Sequence, residues 1–194
     1  MAVKNHPISI KYIVDTREQD TYYVKDILDQ RLNKDGICIK DTEVKTCKPL
    51  GCRLSVGDGT VEYRLHGSED EWIKTKFCLE LKKKDLFSSI YTKASFERLM
   101  NEIDRAKEND LYFIFVATQS IEEVIKEINK IPRLKNTNAE ITFFENFMKL
   151  QEKLRDCGFL YVTSGRDGLA FTIRRLIKRY VKSNKLQQKV VDKK

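Results

Sequence analysis

The sequence is poor in the residues that build metal fingers, disulfide frameworks and irregular coil. Its 194 residues include two histidines, His6 and His66, three prolines and one tryptophan. The five cysteines, Cys38, Cys47, Cys52, Cys78 and Cys157, are odd in number and unevenly spaced, which argues against a disulfide framework. Cys47 and Cys52 have no second pair at zinc-finger spacing, so reduced structural thiols are expected rather than a zinc site. The longest apolar runs, residues 111–117 and 159–162, fall well short of the ~20 residues that a membrane-spanning helix needs. The opening stretch MAVKNHPISIKY lacks the apolar centre of a signal peptide. What remains, 41% hydrophobic and 10% aromatic, suffices for one domain with a real core. An intracellular protein with no membrane partner is expected: cytoplasmic, in a host cell if viral or phage-borne, or nuclear if eukaryotic.

Charge is unevenly placed. Lysine and arginine number 37 against 29 acids, a net charge of +8. From residue 174 to residue 194 there are nine basic residues and one acid, Asp192, so the entire excess lies at the C-terminal end. A cationic end of this kind suits a polyanion, nucleic acid before anionic membrane. The plain alternative is a solvated, solubilising face.

Hydrophobic periodicity gives a mixed order of elements. Ile8, Ile10, Tyr12 and Val14 alternate in a strand that runs into Asp15. Residues 22–33 read as a helix with Val24, Ile27, Leu28 and Leu32 on one face, stopped by Asp35-Gly36. Strands are expected at 37–47, 53–56, 60–65 and 72–82, the last three in an antiparallel hairpin or meander. Helices follow at 85–91 and 95–109, then a buried central strand at 111–117. Ser120 with Glu123, and Thr142 with Glu145, each have the spacing of a capping box that opens a helix. Gly158 marks a helix end, 159–163 a short strand and 164–167 a turn. A last helix spans about 168–182. One of its stripes is apolar (Leu169, Ile173, Leu176, Ile177, Tyr180) and another basic (Arg175, Lys178, Arg179, Lys182). Beyond Ser183 the reading is a frayed basic tail. The fold class is α/β, a mixed sheet flanked by helices.

Three acidic groups sit at strand ends or turns: Asp15-Thr16-Arg17-Glu18, Gly57-Asp58-Gly59, and Glu80-Leu81-Lys82 followed by Asp85. Residues two apart in a strand share a face, so Glu80 and Lys82 point together while Leu81 faces the core. Phosphodiester hydrolysis needs such a set. Two carboxylates hold a hard divalent cation, the cation activates water, and a lysine orients that water and offsets charge on the phosphoryl oxygens. Glycines flanking Asp58 let the backbone bend towards a ligand. An E-x-K triplet is common in a chain that is 34% charged, and its plain alternative is an exposed pair that contributes little.

The ordered motifs are more specific than any one of them. Ile13-Val14-Asp15-Thr16-Arg17-Glu18, Ser55-Val56-Gly57-Asp58, Leu79-Glu80-Leu81-Lys82, Asp85-Leu86-Phe87-Ser88-Ser89-Ile90 and Arg98-Leu99-Met100-Asn101-Glu102 resemble, in this order, the nuclease domain of the XPF/Mus family of structure-selective endonucleases. The resemblance covers residues 8–182 and implies a restriction-endonuclease-like PD-(D/E)xK core at 1–182, with a basic tail at 183–194. It further implies metal contacts from Asp58, Glu80 and Glu18, and a catalytic lysine at Lys82. Asp15, Arg17 and Glu18 would complete the acidic pocket, with Arg17 on substrate phosphate and Mg²⁺ as cofactor, replaceable by Mn²⁺. Arg98 would face the site or the DNA backbone.

Two departures stand out. Leu81 replaces the arginine usual in the family signature, a contact that Lys83 or Lys84 would replace, and two residues rather than three precede Asp85. Asp85 is thus either the acid that closes the signature or a helix N-cap. Members often carry a helix-hairpin-helix module or a helicase, and 183–194 holds neither. The resemblance is to a short stand-alone form like those of phages, viruses or mobile elements, whose grip on DNA would come from Arg174, Arg175, Lys178, Arg179 and Lys182.

The implied activity is Mg²⁺-dependent endonucleolytic cutting of flap, fork or junction DNA. The alternatives are a non-catalytic DNA-binding partner subunit and a Holliday-junction resolvase. Homo- or heterodimers through the nuclease domain would use the apolar helices between 120 and 157, which an internal core explains equally well.

Overall fold

The alternating residues near the start do form a strand, β1 (Ile8–Asp15), and both of its faces are buried. A computed structural model describes residues 7–15, 22–29, 31–45, 56–134 and 137–189. They form two compact units, 1–77 with 168–194, and 78–167.

In the first unit β1 is central, which explains its burial. β2 (Ile37–Lys45) pairs with it in parallel, with a register shift between Ile10 and Lys11. On its other side β3 (Gly59–Leu65) is antiparallel, with Val14 opposite Gly59. β4 (Ile73–Lys74) pairs antiparallel with β3. The helix expected at 22–33 is only one turn long, α1 (Val24–Ile27). Leu28 turns extended and Asp29 exchanges two backbone hydrogen bonds with Ile39, so strand pairing overrides the helical periodicity. Leu32 is left 41% exposed.

The expected 72–82 strand is also interrupted. The Thr75 hydroxyl donates to the Val61 carbonyl and accepts the Phe77 N–H, while the Lys76 N–H goes to the Tyr180 hydroxyl. Side chains thereby take the bonds that a continuous ladder would use. Of the expected strand at 53–56, residues 53–55 lie outside the described residues, and Val56 is in a bend.

The last long helix, α6 (Leu169–Ser183), buries the expected apolar stripe together with Ala170 and Val181. Phe77 packs edge-on against Tyr180, ring centroids 5.3 Å apart. The stretch beyond Ser183 is not frayed at its start. A short helix, α7 (Leu186–Lys189), buries Leu186 and Gln187, and the Gln187 amide donates to the Asp35 carbonyl at 2.8 Å. Elsewhere in this unit Trp72 lies 4.7 Å from the Lys11 ammonium and 4.4 Å from the Arg64 guanidinium, within cation–π range.

In the second unit β5 (Phe77–Lys82), β6 (Tyr112–Ala117) and β7 (Leu160–Thr163) lie side by side, β6 and β7 in parallel. All but the first residue of β5 belong to this unit. The helices are α2 (Leu86–Tyr91), α3 (Lys93–Glu108), α4 (Ile121–Lys130) and α5 (Ala139–Asp156). Rings in stacked, tilted and edge-on contacts run Tyr91, Phe87, Phe143, Phe147, Tyr161, Phe115, each 4.9–6.1 Å from the next, and join α2 and α5 to β7 and β6. Full burial of one such ring contributes about 1.5–3 kcal/mol.

The first capping box is present: the Ser120 N–H donates to the Glu123 carboxylate at 2.7 Å, and the Glu123 N–H to the Ser120 hydroxyl at 3.2 Å. The second is not. α5 starts three residues before Thr142, whose N–H donates to the Asn138 carbonyl within the first turn. The Thr137 hydroxyl accepts the Ala139 N–H instead, and Ala139 is buried, so packing sets the helix start. Gly158 closes α5 with φ 72°.

Cys38, Cys78 and Cys157 are free thiols; Cys47 and Cys52 lie outside the described residues. Among the described residues no helix is long and apolar enough to cross a membrane.

Candidate active site

Two groups of candidate residues are formed, one in each unit. In the first, Asp15 ends β1 and is buried, and its N–H donates to the Asp58 carbonyl at 2.9 Å. Asp58 is half-buried, in the bend that leads into β3. Each flanking glycine has its own reason. Gly57 has φ 76°, a left-handed conformation that other residues adopt only at a cost. Gly59 lies under the hydroxyl and ring of Tyr12, which a Cβ would strike. Tyr12 is itself fully buried and has little room to retreat. Gly59→Ala is therefore expected to destabilise the protein by about 1–3 kcal/mol. The check is a lower midpoint of denaturant unfolding; an unchanged midpoint would mean that the Tyr12 contact does not hold the bend. Arg17 and Glu18 lie outside the described residues.

The second group lies at the end of β5. Leu81 faces the core as expected, and Glu80 and Lys82 share the other face. Neither is the exposed pair of a solvated strand. Glu80 is 3% and Lys82 9% exposed, and the Lys82 ammonium lies 2.6 Å from the Glu80 carboxylate. In such surroundings a charge needs its partner, because water no longer solvates it.

Asp85 holds the N-cap position of α2, yet its side chain does not cap the helix. Its carboxylate accepts the Lys83 N–H at 3.1 Å and the Ser89 hydroxyl at 3.2 Å, and stands 3.8 Å from the Lys82 ammonium. The role open to it here is to hold the turn after β5 and to share the charge of Lys82. Lys83 is buried and Lys84 exposed, so of the two only Lys84 presents its side chain freely to solvent. Arg98 is exposed on α3.

Two further contributors appear in the fold, Ser89 from within the 85–90 motif and Gln119 from outside every motif. Ser89 reaches Asp85 from one helical turn away. Gln119 follows Thr118, whose N–H donates to the Lys82 carbonyl at 2.8 Å. Gln119 is 8% exposed and its Oε1 has no hydrogen-bond partner. A buried acceptor of that kind is costly unless something donates to it.

On α6, Lys178 and Lys182 form ion pairs with Asp29 and Asp35, each at 2.9 Å, so these two expected phosphate contacts already have internal partners. Arg175 lies 5.5 Å from the exposed Phe171 ring. Arg179 is exposed and Arg174 half-buried.

Among the described residues no three His, Cys, Asp or Glu side chains gather as a metal cage. The donor chemistry nevertheless fits Mg²⁺, which takes oxygen ligands and commonly uses one or two carboxylates, the rest being water and substrate phosphate.

No protein-family model matches the sequence, and no curated protein matches it. Solved structures do. XPF from Aeropyrum pernix aligns over 92% of this chain and 70% of its own, with 17% identity and a TM-score of 0.47. XPF from Aeropyrum pernix in complex with DNA aligns over 89% of this chain and 66% of its own, with 16% identity and a TM-score of 0.50. At these identities the likeness is one of fold, and the chain has the α/β fold of the XPF structure solved with DNA.

Proposed function

We propose that this protein is a divalent-metal-dependent DNA endonuclease that selects flapped, forked or junction DNA. The observation that carries the reading is the buried Glu80–Lys82 pair in a chain with the fold of XPF. One of the structures it resembles is a complex with DNA, which supports DNA as the substrate. Asp58 and Glu80 would hold Mg²⁺ or Mn²⁺, with Glu18 as a further contact and Asp15 and Arg17 beside them.

When bound, the cation supplies charge that polarises the scissile phosphate and lowers the pKa of water. Lys82, 2.6 Å from Glu80 and 3.8 Å from Asp85, would serve as a positive charge towards the phosphoryl oxygens and as a donor that orients the attacking water. Glu80 thereby has two duties, as cation ligand and as the acceptor that fixes the direction of the lysine. Lys84 and Arg98 would contact the DNA backbone, as would Arg174, Arg175 and Arg179 on α6. Ile141, Phe144 and Met148 leave an apolar strip exposed on α5, the surface that a dimer would use.

The test is cleavage of labelled flap, fork, four-way junction and linear duplex DNA with Mg²⁺, with Mn²⁺ and with EDTA. Cutting of branched DNA that stops in EDTA is the expected result. A folded protein that binds DNA, cuts none of the four and shows no heat of Mg²⁺ binding would instead be an inert partner subunit. Preference for the four-way junction alone would make it a resolvase.

A further inference from the structure

A cleft of about 730 Å³ opens in the first unit between the turn at 32–36 and the end of α6, and its walls include Asn33, Lys34, Asp35, Lys182, Lys185 and Gln187. Three of these six are lysines, and the single acid, Asp35, is already paired with Lys182. Lys34 and Lys185 are exposed, and neither ammonium has an ion-pair or hydrogen-bond partner among the described residues.

The cleft is built, not incidental. Lys185 has φ 51°, a left-handed conformation that disfavours any residue with a Cβ by roughly 1–2 kcal/mol. It is held there from both sides. Before it, the Asn184 side chain donates to the Tyr180 carbonyl at 3.0 Å. After it, Leu186 is buried and Gln187 is bonded to the Asp35 carbonyl. Lys185 follows the C-cap of α6, where a left-handed residue ends the helix and turns the chain into α7.

We propose that this cleft binds backbone phosphates of a DNA strand through Lys34 and Lys185. The proposal rests on the DNA-nuclease reading and extends it to a site outside the acidic groups. Unpaired ammoniums are suited to phosphate as point charges. A concave floor favours a strand over a membrane, since a headgroup plane meets a flat or convex basic face.

The test compares the full chain with its Lys34→Glu/Lys185→Glu variant. Both positions are exposed and unpaired, so thermal unfolding should be unchanged; Lys34→Arg/Lys185→Arg serves as a charge-preserving control. Binding of fluorescent flap DNA is followed by anisotropy in EDTA over a salt series. The reversed variant should bind on the order of 10- to 100-fold more weakly at about 0.1 M salt, with a log–log salt slope shallower by about two, as expected for two lost phosphate contacts. The arginine control should keep both values. Equal affinity and equal slope in the reversed variant would overturn the proposal while the nuclease reading stands, provided the wild type cuts DNA. A wild type that binds no DNA would overturn both. Sedimentation with phosphatidylserine vesicles that is lost in the reversed variant, with DNA binding unchanged, would assign the cleft to a membrane and sink the proposal.

Discussion

Glu80→Gln and Lys82→Ala should each lower DNA cleavage by about 10²–10³-fold or more and leave DNA binding in EDTA nearly intact. Glutamine keeps the volume of Glu80 but removes the charge that a cation needs; alanine removes the donor aimed at the phosphate. The burial of the pair adds a second consequence. Each single substitution takes from the opposite charge its closest ion-pair partner in a site that water barely reaches, while Asp85 stays 3.8 Å from the lysine. Breaking a buried pair from one side costs about 3–5 kcal/mol. Removing both charges at once is often neutral or better.

The double variant Glu80→Gln/Lys82→Met therefore separates structure from chemistry. It should unfold near the wild-type midpoint and still fail to cut. A double variant that folds and cleaves with Mg²⁺ would show that the pair only holds β5 in place, and the enzymatic reading of these two residues would fall.

Truncation after Ser183 should destabilise the protein by about 2–4.5 kcal/mol. Loss of the buried Leu186 side chain accounts for about 1.5–3 kcal/mol of this, and the hydrogen bond from Gln187 to Asp35 for about 0.5–1.5 kcal/mol. Truncation after Lys189 keeps both contacts and should be close to neutral. Urea unfolding of the two truncated chains beside the full chain gives the comparison. If both shortened chains unfold at the wild-type midpoint, α7 contributes nothing to stability and the frayed-tail reading is the better one.

These two cases also show which parts of the molecule are legible from sequence. β1 and α6 were legible because each packs against the core along a regular stripe, and alternation or helical spacing records that burial directly. Glu80 and Lys82 were legible as neighbours because a strand turns residues two apart to one side. Their burial was not, since an E-x-K triplet in a strongly charged chain looks the same at a surface.

The failures share a cause. Residues 22–33 have helical spacing, but Asp29 bonds to Ile39, and the competing strand lies outside any local window. Thr142 and Glu145 have the spacing of a capping box, yet Thr137 and the burial of Ala139 start the helix earlier. Leu186 and Gln187 look polar-flanked and free until Asp35 is brought to them, a contact between residues 152 positions apart. Lys178 and Lys182 belong to a basic stripe in sequence, while in the fold two carboxylates from the α1–β2 connection neutralise them. In each instance a tertiary partner decided the outcome.

Trp72 has a practical consequence. It is the only tryptophan in the chain, and it lies 4.7 Å and 4.4 Å from two cations in the first unit, whereas the ring ladder of the second unit is made of phenylalanine and tyrosine alone. Indole fluorescence is thus a native optical reporter for one half of the molecule, and near-ultraviolet dichroism of the phenylalanines, eight of ten of which lie at 78–167, weights the other. Comparing the two signals along a single denaturation curve would reveal, without any introduced label, whether both halves come apart together.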